Sequence, residues 1–285
     1  MPTARSARTP RRPGGLAGAE DGARFDLPGG PDAALLLHGL TGSPFEMRHV
    51  AARLHAYGMR CVGPIMPGHG GEPRALERLS WRDWVDGAAA ELRALGGARR
   101  TFVVGCSMGA LVACALAHRH PDRVDGLALL APALRLAGTA RLAGLLARRT
   151  PLGALLPPVP KLGGSDVRDR EMRRRNPTMR AVPLGAVGEL VALAHHVDAI
   201  LPGVVAPALV VASRHDHTVR LAGARRLARR VGSGPARLLV LERSYHLVGI
   251  DVERDRVADA VAEFLETIPA FHGGEEEGEA WPRRT

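Results

Sequence analysis

TFVVGCSMGALVACALAH, residues 101–118, is the stretch that decides the fold. Residues 101–104 carry strand-forming side chains, residues 110–118 are small and mostly apolar in the manner of a buried helix, and Gly105-Cys106-Ser107-Met108-Gly109 stands between them. G-x-S-x-G at a strand-to-helix junction predicts a sharp turn that lifts the serine hydroxyl clear of a sheet edge. Glycines are needed there because neighbouring backbone crowds the turn. The pentapeptide alone could be a plain tight turn; a strand before it and a helix after it are the context that presents a nucleophile.

Outward from this stretch, apolar runs recur at 33–37, 60–65, 126–130, 208–212 and 236–241. None shows polar alternation, as expected for strands covered on both faces. Amphipathic stretches at 45–57, 81–95, 108–118, 219–231 and 252–267 fall between them. The alternation predicts an α/β fold, a mostly parallel sheet with helices on both faces. Residues 24–27 followed by LPGGPD predict a short edge strand and a turn.

One region breaks the alternation. Roughly 75 residues separate the run ending near 130 from the run starting near 208, where a crossover with its helix needs roughly a dozen. Residues 183–201 are expected to be the returning helix, and 133–182 an inserted cap over the carboxyl end of the sheet, where open α/β sheets bind ligands. The cap's first half repeats Leu at helical spacing and is broken by Pro; its second half, DVRDREMRRRNPTMR, is strongly basic. The core is then 25–132 plus 183–270, with disordered tails expected at 1–24 and 271–285.

The 285 residues are 46% hydrophobic, enough for one large core and too apolar for a disordered chain. The net charge of +10 raises the question of nucleic acid. It is concentrated, with +3 in residues 1–24 and +8 in residues 134–180, and the rest nearly neutral. With few aromatics and no nucleic-acid-binding motif, no nucleic-acid partner is expected. The Arg-rich half of the cap is expected to be a solvated face or a weak contact with an anionic lipid surface. No apolar run reaches the roughly 18 residues of a membrane span, and the Arg-rich first 24 residues lack the apolar centre of an export signal. Three cysteines are too few for a disulfide framework, so the expected location is cytoplasmic. Oligomeric state leaves no mark in the sequence.

A serine hydroxyl at its free pKa is a poor nucleophile and needs a base and an orienting acid. With the G-x-S-x-G elbow, these are expected later in the chain, acid before histidine, at strand ends. Asp216 follows ALVVA and His246 follows RLLVLE, where catalytic loops would present them. His118 and His120 fall at a helix end, and His195 and His196 in the crossover helix. Asp251, the rival acid, lies close after His246 at the start of a predicted helix, where it reads as an N-cap. His215-Asp216-His217 has no further ligand set at metal-binding spacing, so neither metal nor cofactor is expected. Donors for a developing oxyanion are expected from the Met108 N–H, directly after the serine, and from the Leu40 N–H in LLLHGLTGSP.

HGLTGSP, PGHG (67–70), GCSMG, SRHDHTV and RSYHLVGID occur in the order seen in α/β-hydrolases. Over residues 25–268 the chain resembles, more narrowly, the bacterial carboxylesterase and monoacylglycerol lipase group. The resemblance implies Ser107 as nucleophile, Asp216 as acid, His246 as base, and Leu40 and Met108 as oxyanion-hole backbone donors. It implies a serine hydrolase cleaving short- to medium-chain carboxylic esters, including monoacylglycerols, through an acyl-enzyme. Leu40 stands where the group has Phe, which keeps the donor and removes a ring from the acyl pocket; Tyr245 before His246 and the Arg-rich cap are further departures. A thioesterase and a C–C bond hydrolase share this machinery and stay open, as does a non-catalytic hydrolase-like ligand receptor, although such receptors tend to lose a triad member and here all three are present.

Overall fold

The computed structural model describes residues 22–138, 157–161 and 163–269. The cap's first half and both expected disordered tails fall largely outside them. Among the described residues the strands are β1 (Phe25–Leu27), β2 (Asp32–Leu37), β3 (Arg60–Gly63), β4 (Arg100–Cys106), β5 (Gly126–Leu130), β6 (Val159–Pro160), β7 (Ala181–Val182), β8 (Ala208–Ser213) and β9 (Arg237–Leu241). The α-helices are α1 (Phe45–Ala56), α2 (Trp81–Ala94), α3 (Met108–Arg119), α4 (Arg170–Arg175), α5 (Leu184–Ile200), α6 (Leu221–Arg230) and α7 (Arg254–Glu266). Each apolar run read from the sequence contains a strand, and each amphipathic stretch contains a helix.

Seven strands form one sheet in the order β1-β3-β2-β4-β5-β8-β9, parallel throughout except for β1. β1 pairs antiparallel with β3, Phe25 opposite Gly63, although its turn leads directly into β2. The reason is steric and topological. β2 takes β3 and β4 as its two neighbours, which leaves the outer edge of β3 as the nearest free ladder.

Alternate side chains of the central strands feed two separate cores. Leu35, Leu37, Val103, Leu127, Leu129 and Val210 pack under α2, α3, α5 and α6. Ala34, Leu36, Phe102, Val104, Leu130 and Val211 pack under α1 and α7. This period-2 partition explains the unbroken apolar runs: both faces of every central strand are inside. α3 lies innermost, with every residue from Met108 to Ala117 buried, which accounts for its apolar circumference. The helix and turn spanning Leu184–Gly203 are long and apolar enough to cross a membrane by length and composition, yet α5 contributes Leu190, Leu193 and Val197 to the same core as α3. Cys61, Cys106 and Cys114 are buried and unpaired, and burial raises all three thiols; they serve as small apolar side chains.

The described part of the insertion runs back across the carboxyl ends of the strands. β6 pairs antiparallel with β7, Val159 opposite Val182. Between them α4 starts at an N-cap, Asp169, whose carboxylate accepts from the Glu171 and Met172 amides.

Candidate active site

Ser107 sits between the end of β4 and the start of α3 at φ 55°, ψ −110°, a conformation that costs a non-glycine residue on the order of 1–3 kcal/mol. The surroundings hold it there. Ser107 N donates to Leu130 O at 2.8 Å and Ser107 O accepts from Ala133 N at 3.2 Å. The flanking glycines are required by space. A Cβ on Gly105 would lie 2.2 Å from Gly109 O, and one on Gly109 would lie 2.2 Å from Leu37 O.

The structure joins the three residues the sequence singled out in one hydrogen-bonded chain. His246 Nε2 is 2.9 Å from Ser107 Oγ, and His246 Nδ1 is 2.8 Å from Asp216 Oδ2. The other Asp216 oxygen accepts the amides of Thr218 (2.8 Å) and Val219 (2.7 Å), which fixes the carboxylate. Asp216 leaves the end of β8 and His246 follows β9, so both arrive at the same sheet edge as Ser107. Burial pushes the His246 imidazole down, but the charge and hydrogen bond of Asp216, with the charges of Asp166 and Glu46 behind them, leave it net raised above 6.5. Asp216 thus makes the proton acceptor nearest Ser107 a stronger base than burial alone would leave it.

The loop carrying Leu40 is locked peptide by peptide. Gly39 N donates to Glu46 Oε2 at 3.0 Å, Gly39 O accepts from Gly42 N at 3.0 Å, and Leu40 O accepts from Thr41 Oγ1 at 2.6 Å. His38 Nε2 accepts the Met66 amide at 3.0 Å, so its proton sits on Nδ1, which donates to Gly39 O at 2.9 Å. Full burial beside His69 lowers His38 to about 3, so the ring stays neutral in this role. Because a trans peptide directs its N–H opposite its C=O, holding Gly39 O orients the Leu40 N–H. Met108 N is the first amide of α3, a position with no intrahelical acceptor.

The described residues enclose a cavity of about 280 Å³ with Ser107, His246 and Leu40 in its wall. Leu136, Val187, Leu190 and Leu247 supply apolar surface, and Glu46, Lys161 and Asp166 supply charge. A wider hollow of about 570 Å³ between β9 and α7 holds no nucleophile.

Three residues of this site carry no signal in the sequence. Asp166 of the insertion ties two loops together: its carboxylate accepts from His217 N (3.0 Å) and Thr218 Oγ1 (3.1 Å), and its carbonyl accepts the His246 (3.1 Å) and Leu247 (3.2 Å) amides. Glu46 reaches back from the first turn of α1 to Gly39, and its burial raises its pKa. Lys161, the chain's only lysine, donates to Thr41 Oγ1 and to Thr178 Oγ1. The rejected histidines lie elsewhere. His196 stacks on Trp81 at 4.6 Å, and neither it nor His118, His120 or His195 lines the cavity.

Asp251 corrects the N-cap expectation. α7 begins at Arg254, and the fully buried Asp251 carboxylate instead accepts amides from Arg168 (3.0 Å), Asp169 (2.9 Å) and Tyr245 (2.6 Å). It staples the insertion to the His246 loop and takes no part in the Ser107 chain of bonds.

Residues 31–253 match the family described as serine aminopeptidase, S33. The chain belongs to this family of α/β-hydrolases. The hydrolase is 29% identical to the thermostable monoacylglycerol lipase of Bacillus sp. (strain H-257), over 91% of this chain and 97% of the relative. It is 28% identical to a carboxylesterase of Bacillus subtilis (strain 168), over 86% and 96%. A solved structure from the metagenome-derived lipolytic enzymes LipS and LipT is 26% identical with a TM-score of 0.79, covering 87% of this chain and 98% of that one. The hydrolase is an enzyme of the serine hydrolase class, similar to esterases and monoacylglycerol lipases.

Proposed function

We propose that this hydrolase cleaves carboxylic esters of short to medium acyl chains, monoacylglycerols among them, through an acyl-enzyme on Ser107. The observation that carries the reading is the bonded chain Asp216–His246–Ser107 opening into an apolar-walled cavity. His246 Nε2 takes the Oγ proton as Oγ attacks the ester carbonyl carbon. Asp216 holds the imidazole with Nδ1 protonated and stabilises the imidazolium. The Leu40 and Met108 amides receive the carbonyl oxygen as it becomes an oxyanion. The tetrahedral adduct collapses, His246 protonates the departing alkoxide, and the alcohol leaves. A water then attacks the acyl-enzyme, giving its proton to His246; collapse releases the acid and restores Ser107.

Support for the chain length comes from the cavity, which lies at the small end of ligand cavities, roughly 300–1,000 Å³. Support for the alcohol part comes from Glu46 and Asp166 in the polar part of the cavity wall, and from the names of the relatives. The test is hydrolysis of p-nitrophenyl esters from C2 to C16, of 1-monoacylglycerols and of an aminoacyl p-nitroanilide, by wild type and Ser107→Ala. Turnover should peak at short to medium esters and vanish in the variant. Turnover of the anilide alone, or ester cleavage surviving Ser107→Ala, would overturn the reading.

A further inference from the structure

Thr41 stands between the loop that carries Leu40 and the inserted segment. Its backbone is left-handed, φ 61°, where a β-branched residue is an outlier. It is 1% exposed, and three of its hydrogen bonds go to the insertion. Thr41 O accepts from Thr178 Oγ1 and from Met179 N, each at 2.8 Å, and Thr41 Oγ1 accepts from Lys161 Nζ. The direction of each bond is fixed by bookkeeping of protons. Thr41 Oγ1 has given its proton to Leu40 O, and Thr178 Oγ1 has given its proton to Thr41 O, so both hydroxyls meet the Lys161 ammonium only as acceptors. The resulting chain runs Lys161 to Thr41 to Leu40 O, next to the peptide whose N–H faces the chemistry under the reading above.

We infer that Lys161 is a positioning residue for the oxyanion hole: from the insertion it pins Thr41 in its left-handed conformation and thereby holds the Leu40 amide in place for the transition state. The inference rests on the proposed Ser107 mechanism and deepens it. The Glu46 carboxylate already stands in this loop, accepting the Gly39 amide, and the Lys161 charge offsets it next to the hole. An arginine's planar fork does not match two hydroxyls approached by one nitrogen, whereas an ammonium's tetrahedral donors do. In a chain that otherwise uses only arginine, the lysine stands where that geometry is needed.

The arrangement also makes the oxyanion hole depend on the insertion being docked.

The test uses the full-length enzyme with Lys161→Met, which keeps the stem and removes the donors, and Thr178→Val, which leaves Lys161 in place. Folding is checked by near-ultraviolet circular dichroism. Readouts are kcat and KM for a p-nitrophenyl ester and the inhibition constant of a trifluoromethyl ketone, which forms a tetrahedral oxyanion on the serine. Loss of a whole oxyanion donor costs about 10²–10³-fold in kcat; a displaced donor should cost about 10–100-fold in Lys161→Met and less in Thr178→Val. KM should stay within about twofold, and the ketone should weaken in step with kcat. A raised KM at unchanged kcat would make Lys161 a substrate-binding group and overturn the inference, as would unchanged ketone affinity. If Lys161→Met keeps full activity while Ser107→Ala has none, the inference fails and the serine mechanism stands; if Ser107→Ala stays active, the mechanism itself fails.

Discussion

At the amino end of the sheet, Asp32 of β2 accepts a two-pronged contact from Arg99 (2.6 and 3.0 Å) and a third bond from Arg100 (2.6 Å), while Arg100 also donates to Ile268 O. At the carboxyl end of the same strands the groups are met in mixed ways: His246 pairs with Asp216 at 2.8 Å, Glu46 accepts the Gly39 amide, and Lys161 donates to the hydroxyls of Thr41 and Thr178. The amino end satisfies its charges against one another. The carboxyl end has the His246–Asp216 pair, and meets Glu46 and Lys161 with neutral donors and acceptors. The backbone follows the same division. Three described non-glycine residues have positive φ, Thr41, Ser107 and Ala131, and all three lie just past the carboxyl ends of β2, β4 and β5. Among the described residues the left-handed non-glycine backbone is thus confined to the carboxyl end, where Ser107 sits.

Asp216→Asn should break the carboxyl end most. It keeps an acceptor for the Thr218 amide and removes the charge that offsets burial at His246. Turnover should fall by about 10⁴-fold under the proposed mechanism, by analogy with the same change in enzymes of the Ser-His-Asp type. The pH profile gives the sign. With His246 raised above 6.5, wild-type activity should rise with pH through that raised value, because the neutral ring is the base. Without Asp216, burial dominates and the residual activity should rise at lower pH. A profile that stays in place would show that Asp216 does not set the His246 equilibrium.

Asp166→Ala should have the next effect. It removes the acceptor that fixes His217 N and Thr218 Oγ1 and the charge that helps lift His246. Displacing the triad loops by a fraction of an ångström should lower kcat by on the order of 10²-fold, with thermal unfolding moved far less. A change in stability with kcat untouched would reassign Asp166 to packing.

The amino end is expected to respond in the opposite way. Asp32→Asn removes the charge facing Arg100, which is 9% exposed and keeps its bond to Ile268 O; breaking a fully buried pair costs about 3–5 kcal/mol, and the remaining acceptors and the partial solvation of Arg99 reduce this to about 2 kcal/mol. Burial pushes Asp32 up, but its bonds and charges from Arg99 and Arg100 hold it down at about 2. Its contribution is therefore complete above its unfolded value near 3.8 and is lost as pH falls toward 2. Urea titrations at pH 7 and pH 3 should show the variant's deficit shrinking in acid, with kcat of the folded protein unchanged.

The same contrast explains what the sequence revealed. The central strands were legible because both sheet faces are inside there, so the apolar runs at 33–37, 101–105, 126–130 and 208–212 are uninterrupted, whereas the edge strand β9 is only partly buried. Ser107, Asp216 and His246 were legible as site candidates because each follows a strand in a local pattern. β1 was legible as an edge strand, but its pairing with β3 depends on which ladder stays free. Asp251 looks locally like a helix cap, but the amides of the insertion's Arg168 and Asp169 and of Tyr245 give it another task. Asp166, Lys161 and Thr41 were illegible for the same reason: each acts across a chain separation that local periodicity cannot see, through contacts made when the insertion docks on the sheet end. At the amino end nothing was singled out, because Asp32 and the Arg99-Arg100 pair read as ordinary surface charge until the strands align.

The central claim is that the carboxyl end of the sheet activates Ser107. Fluorophosphonate labelling of the full-length enzyme, read by peptide mass spectrometry, tests it most directly. The account predicts one stoichiometric adduct on Ser107, formed faster as pH rises through the His246 equilibrium and absent in Ser107→Ala. An unlabelled folded protein, or an adduct on any other residue, would contradict it.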